Sequence, residues 1–129
     1  SDSQYTTVEE AKKFAEETGV DSLAISIGTA HGMYKGIPEI NFDRLKEIAA
    51  AVDTPLVLHG GSSSGDENLN RCATNGITKI NIFSDLLVAA KEEIDNNKPE
   101  TYLDVKALSK QGMQKCLEHY YAVFETREA

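Results

Sequence analysis

Alternation of short apolar runs with amphipathic helical stretches constrains this chain more than any other feature. Residues 22–27, 56–58 and 79–82 are short, mostly apolar segments bounded by glycine, proline or polar residues, the pattern of buried strands. Helical stretches separate them. Residues 7–18 open with a Thr7/Glu10 capping box, place Ala11, Phe14 and Ala15 on one face, and stop at Gly19. A second helix begins near Asn41, carries Phe42, Leu45, Ile48 and Ala49 on one face, and ends before Pro55. A third runs over residues 66–75 with Gly76 as its cap, and Ser84 caps a fourth that reaches about residue 96. After the Lys98-Pro99 break, a long final helix covers residues 104 to about 126 with Gly112 inside it.

Helices and short buried strands in this order imply right-handed βαβ units and a parallel sheet. Two architectures satisfy that pattern, an open doubly wound sheet and a (β/α)8 barrel, and local patterning does not separate them. The chain has 129 residues and no internal linker, so residues 1–129 read as one structural unit. A polar stub, Ser1-Asp2-Ser3-Gln4, leads straight into a helix. Three strands make a thin sheet with two edges to cover, and a barrel takes about 250 residues. The expectation is therefore the latter half of something larger.

Charge and composition remove some functional classes. The formal net charge is -8, which argues against a nucleic-acid partner, since that needs a basic footprint. It leaves phosphorylated ligands open, because a few local donors suffice to hold a phosphate. There is no signal peptide and no run of about 18 apolar residues, so the expectation is a cytoplasmic protein without a membrane partner. Cys72 and Cys116, far apart in sequence, form neither a disulfide framework nor a zinc knuckle and read as thiols in a reducing compartment.

In parallel α/β folds, function gathers at the C-terminal ends of the strands. Those ends carry Gly28, Thr29, His31, Gly32 and Lys35, then His59, Gly60, Gly61 and Ser62 to Ser64, then Asn81, Ser84 and Asp85. Two of the three histidines fall there, each followed by glycine, which lets backbone approach a ligand closely. Gly60-Gly61-Ser62 before a helix start offers amides and a hydroxyl to a phosphate, and Ser84 offers a second donor at another helix start. The bland readings are a packed histidine, a plain turn, and a capping serine. His119 lies mid-helix, away from any strand end, and reads as structural or surface-exposed. Two histidines are one donor short of a catalytic zinc, which takes three protein ligands and keeps a fourth position open.

At these same residues the sequence resembles the class II fructose- and tagatose-bisphosphate aldolases. Ile27-Gly-Thr-Ala-His31-Gly32-Met-Tyr34-Lys35-Gly36, with residues 38–42 and Leu45 beyond it, is similar to that family's segment around its second zinc histidine. Pro55-Leu-Val-Leu-His59-Gly60-Gly61-Ser62 resembles the segment of the third zinc histidine and the phosphate loop. Gly76-Ile-Thr-Lys79-Ile80-Asn81-Ile82 resembles the segment bearing the substrate-binding asparagine. The similarity runs from about Tyr5 to Ile94 and more loosely over the tail.

The resemblance implies the C-terminal half of a (β/α)8 barrel in an enzyme that reversibly splits a ketose bisphosphate into glycerone phosphate and an aldehyde. It implies His31 and His59 as Zn2+ ligands, the metal polarising the substrate carbonyl as a Lewis acid and stabilising the ene-diolate. It gives Asn81 a catalytic hydrogen bond to that ene-diolate. Gly32, Lys35, Gly60, Gly61, Ser62, Asn81 and Ser84 become the substrate- and phosphate-binding set, with a monovalent cation, Na+ or K+, near Gly32 and Lys35. Expected partners are a phosphorylated ketose and either a second copy or a complementary N-terminal half.

Three departures stand out. The family's Asp-His pair and mobile-loop glutamate have no counterpart here. Phe83 occupies a position that is polar in many fructose enzymes and small in many tagatose enzymes, which leaves the ketose open. Ser63-Ser64-Gly65 replaces a Gly-hydrophobic-Pro stretch. The competing readings are a non-catalytic half-barrel that binds phosphate or serves assembly, and a doubly wound phosphate-binding domain of another family.

Overall fold

A computed structural model describes residues 4–129; the Ser1–Ser3 part of the polar stub lies outside the described residues. The elements follow the order α1 (Val8–Thr18), β1 (Leu23–Ala24), α2 (Phe42–Ala51), β2 (Leu56–Leu58), α3 (Asp66–Thr74), β3 (Ile77–Ile80), α4 (Ser84–Asn97) and α5 (Tyr102–Val123). All strand pairs are parallel, in the spatial order β1-β2-β3.

Local chemistry sets most of the boundaries. The Thr7/Glu10 capping box forms, and Gly19 closes α1 in the left-handed conformation. Asn41 caps α2 by accepting from the Arg44 amide. Thr101 caps α5, so that helix begins two residues before Asp104 and ends at Val123 rather than near residue 126. Three further boundaries differ from the sequence reading. Only Leu23 and Ala24 pair as strand in the 22–27 run, although Ile25 and Ile27 stay buried beyond it. The third strand is Ile77–Ile80 rather than 79–82, although just past it the Asn81 amide still donates to the Leu58 carbonyl and the Asn81 carbonyl accepts from the Gly61 amide. The C-cap of α3 is Asn75, with Gly76 one residue further on.

Packing chooses between the two architectures. Ile25, Ile27, Leu58 and Ile77 of the sheet share one buried cluster with Ala11 of α1, Leu45 and Ile48 of α2, Leu69 and Cys72 of α3, and Tyr120 of α5. Burying each large aliphatic side chain stabilises the fold by about 1.5–3 kcal/mol. The helices touch in the series α1, α2, α3, α5, α4, which makes one continuous layer. Ala24 and Ser26, which alternate with the partly buried Leu23 and the buried Ile25 and Ile27, are exposed. A doubly wound sheet carries helices on both faces; a barrel carries them on one. This is a barrel segment: three parallel strands with helices outside and strand-end loops at one rim.

Two tertiary details consolidate the layer. Gly112 is buried where α5 crosses α4, and a Cβ there would lie 2.4 Å from the Ala89 carbonyl oxygen, so only glycine allows this approach. The Arg71 guanidinium sits over the Phe42 ring, 3.8 Å from its centroid, joining α3 to the start of α2. Cys72 and Cys116 are free thiols, with Cys72 pushed up to about 11 by burial. No helix among the described residues is long and apolar enough to cross a membrane.

Candidate active site

Two loops at the strand rim carry the histidines, and polar contacts lock them together. The Thr29 hydroxyl donates to the His59 carbonyl at 2.6 Å. Tyr34 folds back over its own loop, so that its hydroxyl accepts from the Ala30 amide and faces the carbonyls of Ala30 at 2.6 Å and Gly60 at 3.0 Å. Its single proton serves one carbonyl at a time. Gly60 has φ +67, and a Cβ on it would lie 2.1 Å from the Ala30 carbonyl oxygen, so the close passage of these loops requires glycine on both counts.

This clasp brings the histidines face to edge. The His31 and His59 ring centroids are 5.6 Å apart at an interplanar angle of 63°. A tetrahedral metal about 2.0–2.1 Å from one nitrogen of each ring separates the centroids by roughly 5 Å. The spacing therefore suits two ligands of one ion, and both rings are exposed at the rim. Among the described residues no group of three His, Cys, Asp or Glu side chains could hold a metal ion. Among the described residues, then, two imidazoles stand close enough to share an ion, with no third such side chain beside them.

Beside the histidines lies a cavity of about 290 Å³ lined by His31, Gly32, Gly60, Ser62, Asn81, Phe83 and Ser84. Six of these seven are residues that the sequence singles out for ligand binding. Gly61 and Lys35 are not among the lining residues; Gly61 is buried, and Lys35 is exposed elsewhere on its loop.

The start of α4 differs from the sequence reading. Ser84 does not cap it; Phe83 stands at the N-cap position without a side-chain cap bond. The cap comes from another loop. The buried Ser62 Oγ accepts from the Phe83 amide at 3.0 Å and the Asp85 amide at 3.2 Å. A hydroxyl oxygen has two acceptor sites and one proton. With both acceptor sites in use, what Ser62 has left to offer is its proton. The helix dipole and the terminal amides of α4 favour negative charge at the same place.

Asn81 has a fixed orientation. Lys79 Nζ bonds its side-chain oxygen. An ammonium only donates, so Asn81 presents its amide group as a donor. Phe83, 69% exposed, contributes a bare aromatic ring to the cavity wall next to these polar groups.

Sequence reasoning missed four contributors: Tyr34, Lys79, Asp85 and Tyr120. Tyr34 and Lys79 stood inside the quoted motifs without a role, and their i,i+4 and i,i+2 offsets from Ala30 and Asn81 were the available signal. Asp85 was named only as a strand-end residue. Tyr120 comes from α5, and nothing local connects it to the rim. His119 bridges α5 to the first turn of α3, its Nε2 2.8 Å from Asp66 Oδ2 on the surface, in keeping with its structural reading.

Comparison with known proteins now adds the family. The profile of the class II fructose-bisphosphate aldolases matches residues 1–129. The chain belongs to that family. Solved structures agree. The YdjI aldolase of Escherichia coli K12 is 35% identical with a TM-score of 0.85, over 93% of this chain and 46% of that one. A candidate fructose-1,6-bisphosphate aldolase of Coccidioides immitis is 25% identical with a TM-score of 0.83, over 94% of this chain and 43% of that one. For a fructose-bisphosphate aldolase of Campylobacter jejuni the identity is 23% and the TM-score 0.70, over 95% and 45%, a likeness of fold. The chain spans less than half the length of each of these aldolases, and the three strands and five helices of its described residues correspond to about half of their TIM barrel.

Proposed function

We propose that this chain forms the phosphate-binding side and two-thirds of the zinc-binding set of an active site for reversible aldol cleavage of a ketose 1,6-bisphosphate. The observation that carries this is the convergence of His31, Gly32, Gly60, Ser62, Asn81 and Ser84 on one cavity beside the paired imidazoles. His31 and His59 hold the metal together with a third ligand from the rest of the barrel, in a longer chain or a second polypeptide. Zinc, when bound, supplies Lewis acidity toward the substrate carbonyl.

Every other task falls to side chains and amides. The Ser62 hydroxyl donates its proton to the phosphate of the glycerone phosphate portion, and the α4 start and the Gly32 and Gly60 segments surround that anion. Asn81, turned by Lys79, donates its amide to the substrate oxygen that gains charge as the carbon–carbon bond breaks. A donor placed in advance stabilises that charge without reorganisation, and one such donor is typically worth about 10²–10³-fold in rate. The proton on carbon needs an acid/base group, and the residues lining the cavity include none besides the metal ligand His31; we assign that role, too, to the remainder of the barrel. A monovalent cation near Gly32 and Lys35 belongs to the same proposal. Phe83 adds an exposed apolar ring to the same cavity wall, and it bears on which ketose fits there.

A second reading, a half-barrel that binds phosphate without catalysis, is favoured by the incomplete metal set. Zinc affinity and turnover separate the two. Zinc should bind by competition with a chromogenic chelator, and His31→Ala and His59→Ala should each weaken it at least tenfold. Joined to the remaining barrel, the chain should cleave fructose or tagatose 1,6-bisphosphate and lose that activity on His59→Ala. Phosphate binding without zinc affinity or turnover in the complete barrel would leave the non-catalytic reading standing.

A further inference from the structure

Ser62 and Ser63 exchange hydrogen bonds with the first turn of α4 in a reciprocal pattern. Ser62 Oγ accepts from the amides of Phe83 and Asp85. In return, Asp85 accepts from the Ser63 amide at 2.8 Å and from the Ser63 hydroxyl at 3.1 Å. This is the logic of a capping box, with the capping residue supplied from a different loop. Ser63 sits at φ +60, where a residue with a Cβ needs outside support to stay. Asp85 is that support. A third element backs it: the Tyr120 hydroxyl of α5 donates to the Asp85 oxygen that takes the Ser63 amide. Tyr120 is buried and stacks on Phe124, centroids 5.4 Å apart, so the donor has little freedom to leave. Burial, and then the bond to Asp85, push the Tyr120 phenol well above its ordinary value, which keeps it protonated as a donor.

We propose that Asp85 and Tyr120 are positioning residues of the phosphate subsite, holding the Ser62 proton on the bound anion without touching it. The proposal rests on reading the cavity as a phosphate subsite. It makes a prediction of unusual sign. Asp85 is an acidic residue close to an anion site, so by Coulomb repulsion alone its removal should tighten phosphate binding. If Asp85 instead holds the Ser62–Ser63 turn, its removal should weaken binding, because the donor is lost from its place.

The test is calorimetric titration of the 129-residue chain with inorganic phosphate, alongside amide hydrogen exchange at Ser63. Ser62→Ala should weaken phosphate at least fivefold. Asp85→Ala should weaken it by a similar factor and speed exchange of the Ser63 amide, while Asp85→Asn, which keeps an acceptor, should fall between. Tyr120→Phe should weaken phosphate about threefold with no change of charge, and it carries the test if Asp85→Ala fails to fold. A purely structural role would lower melting temperatures yet leave the phosphate affinity of the folded variants unchanged, which would overturn the proposal. Tighter binding by Asp85→Ala would overturn it as well. If the unsubstituted chain does not bind phosphate, or Ser62→Ala binds as well as it does, the subsite reading itself falls and the positioning role with it. If Ser62→Ala weakens binding and neither Asp85→Ala nor Tyr120→Phe does, only the positioning role falls.

Discussion

At Tyr34 one hydroxyl faces the carbonyls of Ala30 and Gly60, on two different loops, and takes the Ala30 amide as well. Tyr34→Phe removes that oxygen and leaves the ring. A lost hydrogen bond of this kind costs about 1 kcal/mol, and the unpaired Ala30 amide, which can still reach water at this exposed site, adds little. Urea unfolding should therefore show a modest loss of stability, while zinc affinity falls further than stability does, because His31 and His59 ride on the loops that Tyr34 joins. Equal stability and affinity in Tyr34→Phe would show that Thr29 alone holds the loops. Cys72 gives a second residue-scale expectation. Its folded thiol is pushed up to about 11 by burial, from an ordinary 9.0. Between those values the unfolded chain ionises first and binds fewer protons, so stability falls as pH rises from about 9 to about 11. Equilibrium unfolding across that range should show the decline, and Cys72→Ala should reduce it, leaving the contributions of Cys116 and Tyr120, both also raised by burial. The two histidines, the glycine-serine turn and Asn81 were legible in the sequence because each follows a strand end, where backbone runs out into a rim loop. The residues that hold them were not, since Tyr34 and Asp85 act on backbone carbonyls and amides that carry no side-chain signature, and Tyr120 reaches Asp85 from a distant helix.

Among the elements, the helices were the easiest to read. Thr7 with Glu10, Asn41 and Gly19 announce their roles through chemistry confined to a single turn. The strands were harder. Apolar content located all three, but pairing decides their lengths, and pairing is a property of the neighbour: β1 is paired only at Leu23 and Ala24, against Leu56 and Val57 of β2. The start of α4 misled the sequence reading for the same reason. Ser84 has the right identity for a cap, and the hydroxyl that fills the role arrives from Ser62, 22 residues upstream of it. The α4–α5 pair carries a prediction. Alanine is favoured over glycine by about 1 kcal/mol in a helix interior, so propensity alone makes Gly112→Ala stabilising. The structure sets a Cβ at that position 2.4 Å from the Ala89 carbonyl oxygen, and neither backbone can yield cheaply. Overpacking of this kind costs about 1–3 kcal/mol, and it wins. Thermal unfolding of Gly112→Ala should show a lower midpoint, and a raised midpoint would mean that α5 shifts freely on α4.

For the whole molecule, the question is what a three-stranded segment of a barrel can do by itself. Among the described strands, β1 and β3 each pair on one side only, so two rows of backbone donors and acceptors lack a neighbouring strand. The sheet face opposite the helices carries Ala24 and Ser26 exposed. Tyr102 and Leu103, at the start of α5, are 74% and 75% exposed. Such edges and apolar surface favour association with a second copy or with the rest of a barrel. Catalysis points the same way. Two imidazoles bind zinc more weakly than three ligands, and the cavity lining holds no carboxylate to move the proton on carbon. A positioned acid/base group is typically worth about 10²–10⁴-fold. The 129-residue chain, purified with its ends confirmed by mass and supplied with zinc, should therefore show no appreciable cleavage of fructose or tagatose 1,6-bisphosphate. It should still bind inorganic phosphate through Ser62, and addition of the remaining barrel should restore turnover. Turnover by the isolated chain near that of a typical enzyme, abolished by His59→Ala, would mean that these residues assemble a complete site, with the third metal donor and the proton-transfer group drawn from a second copy.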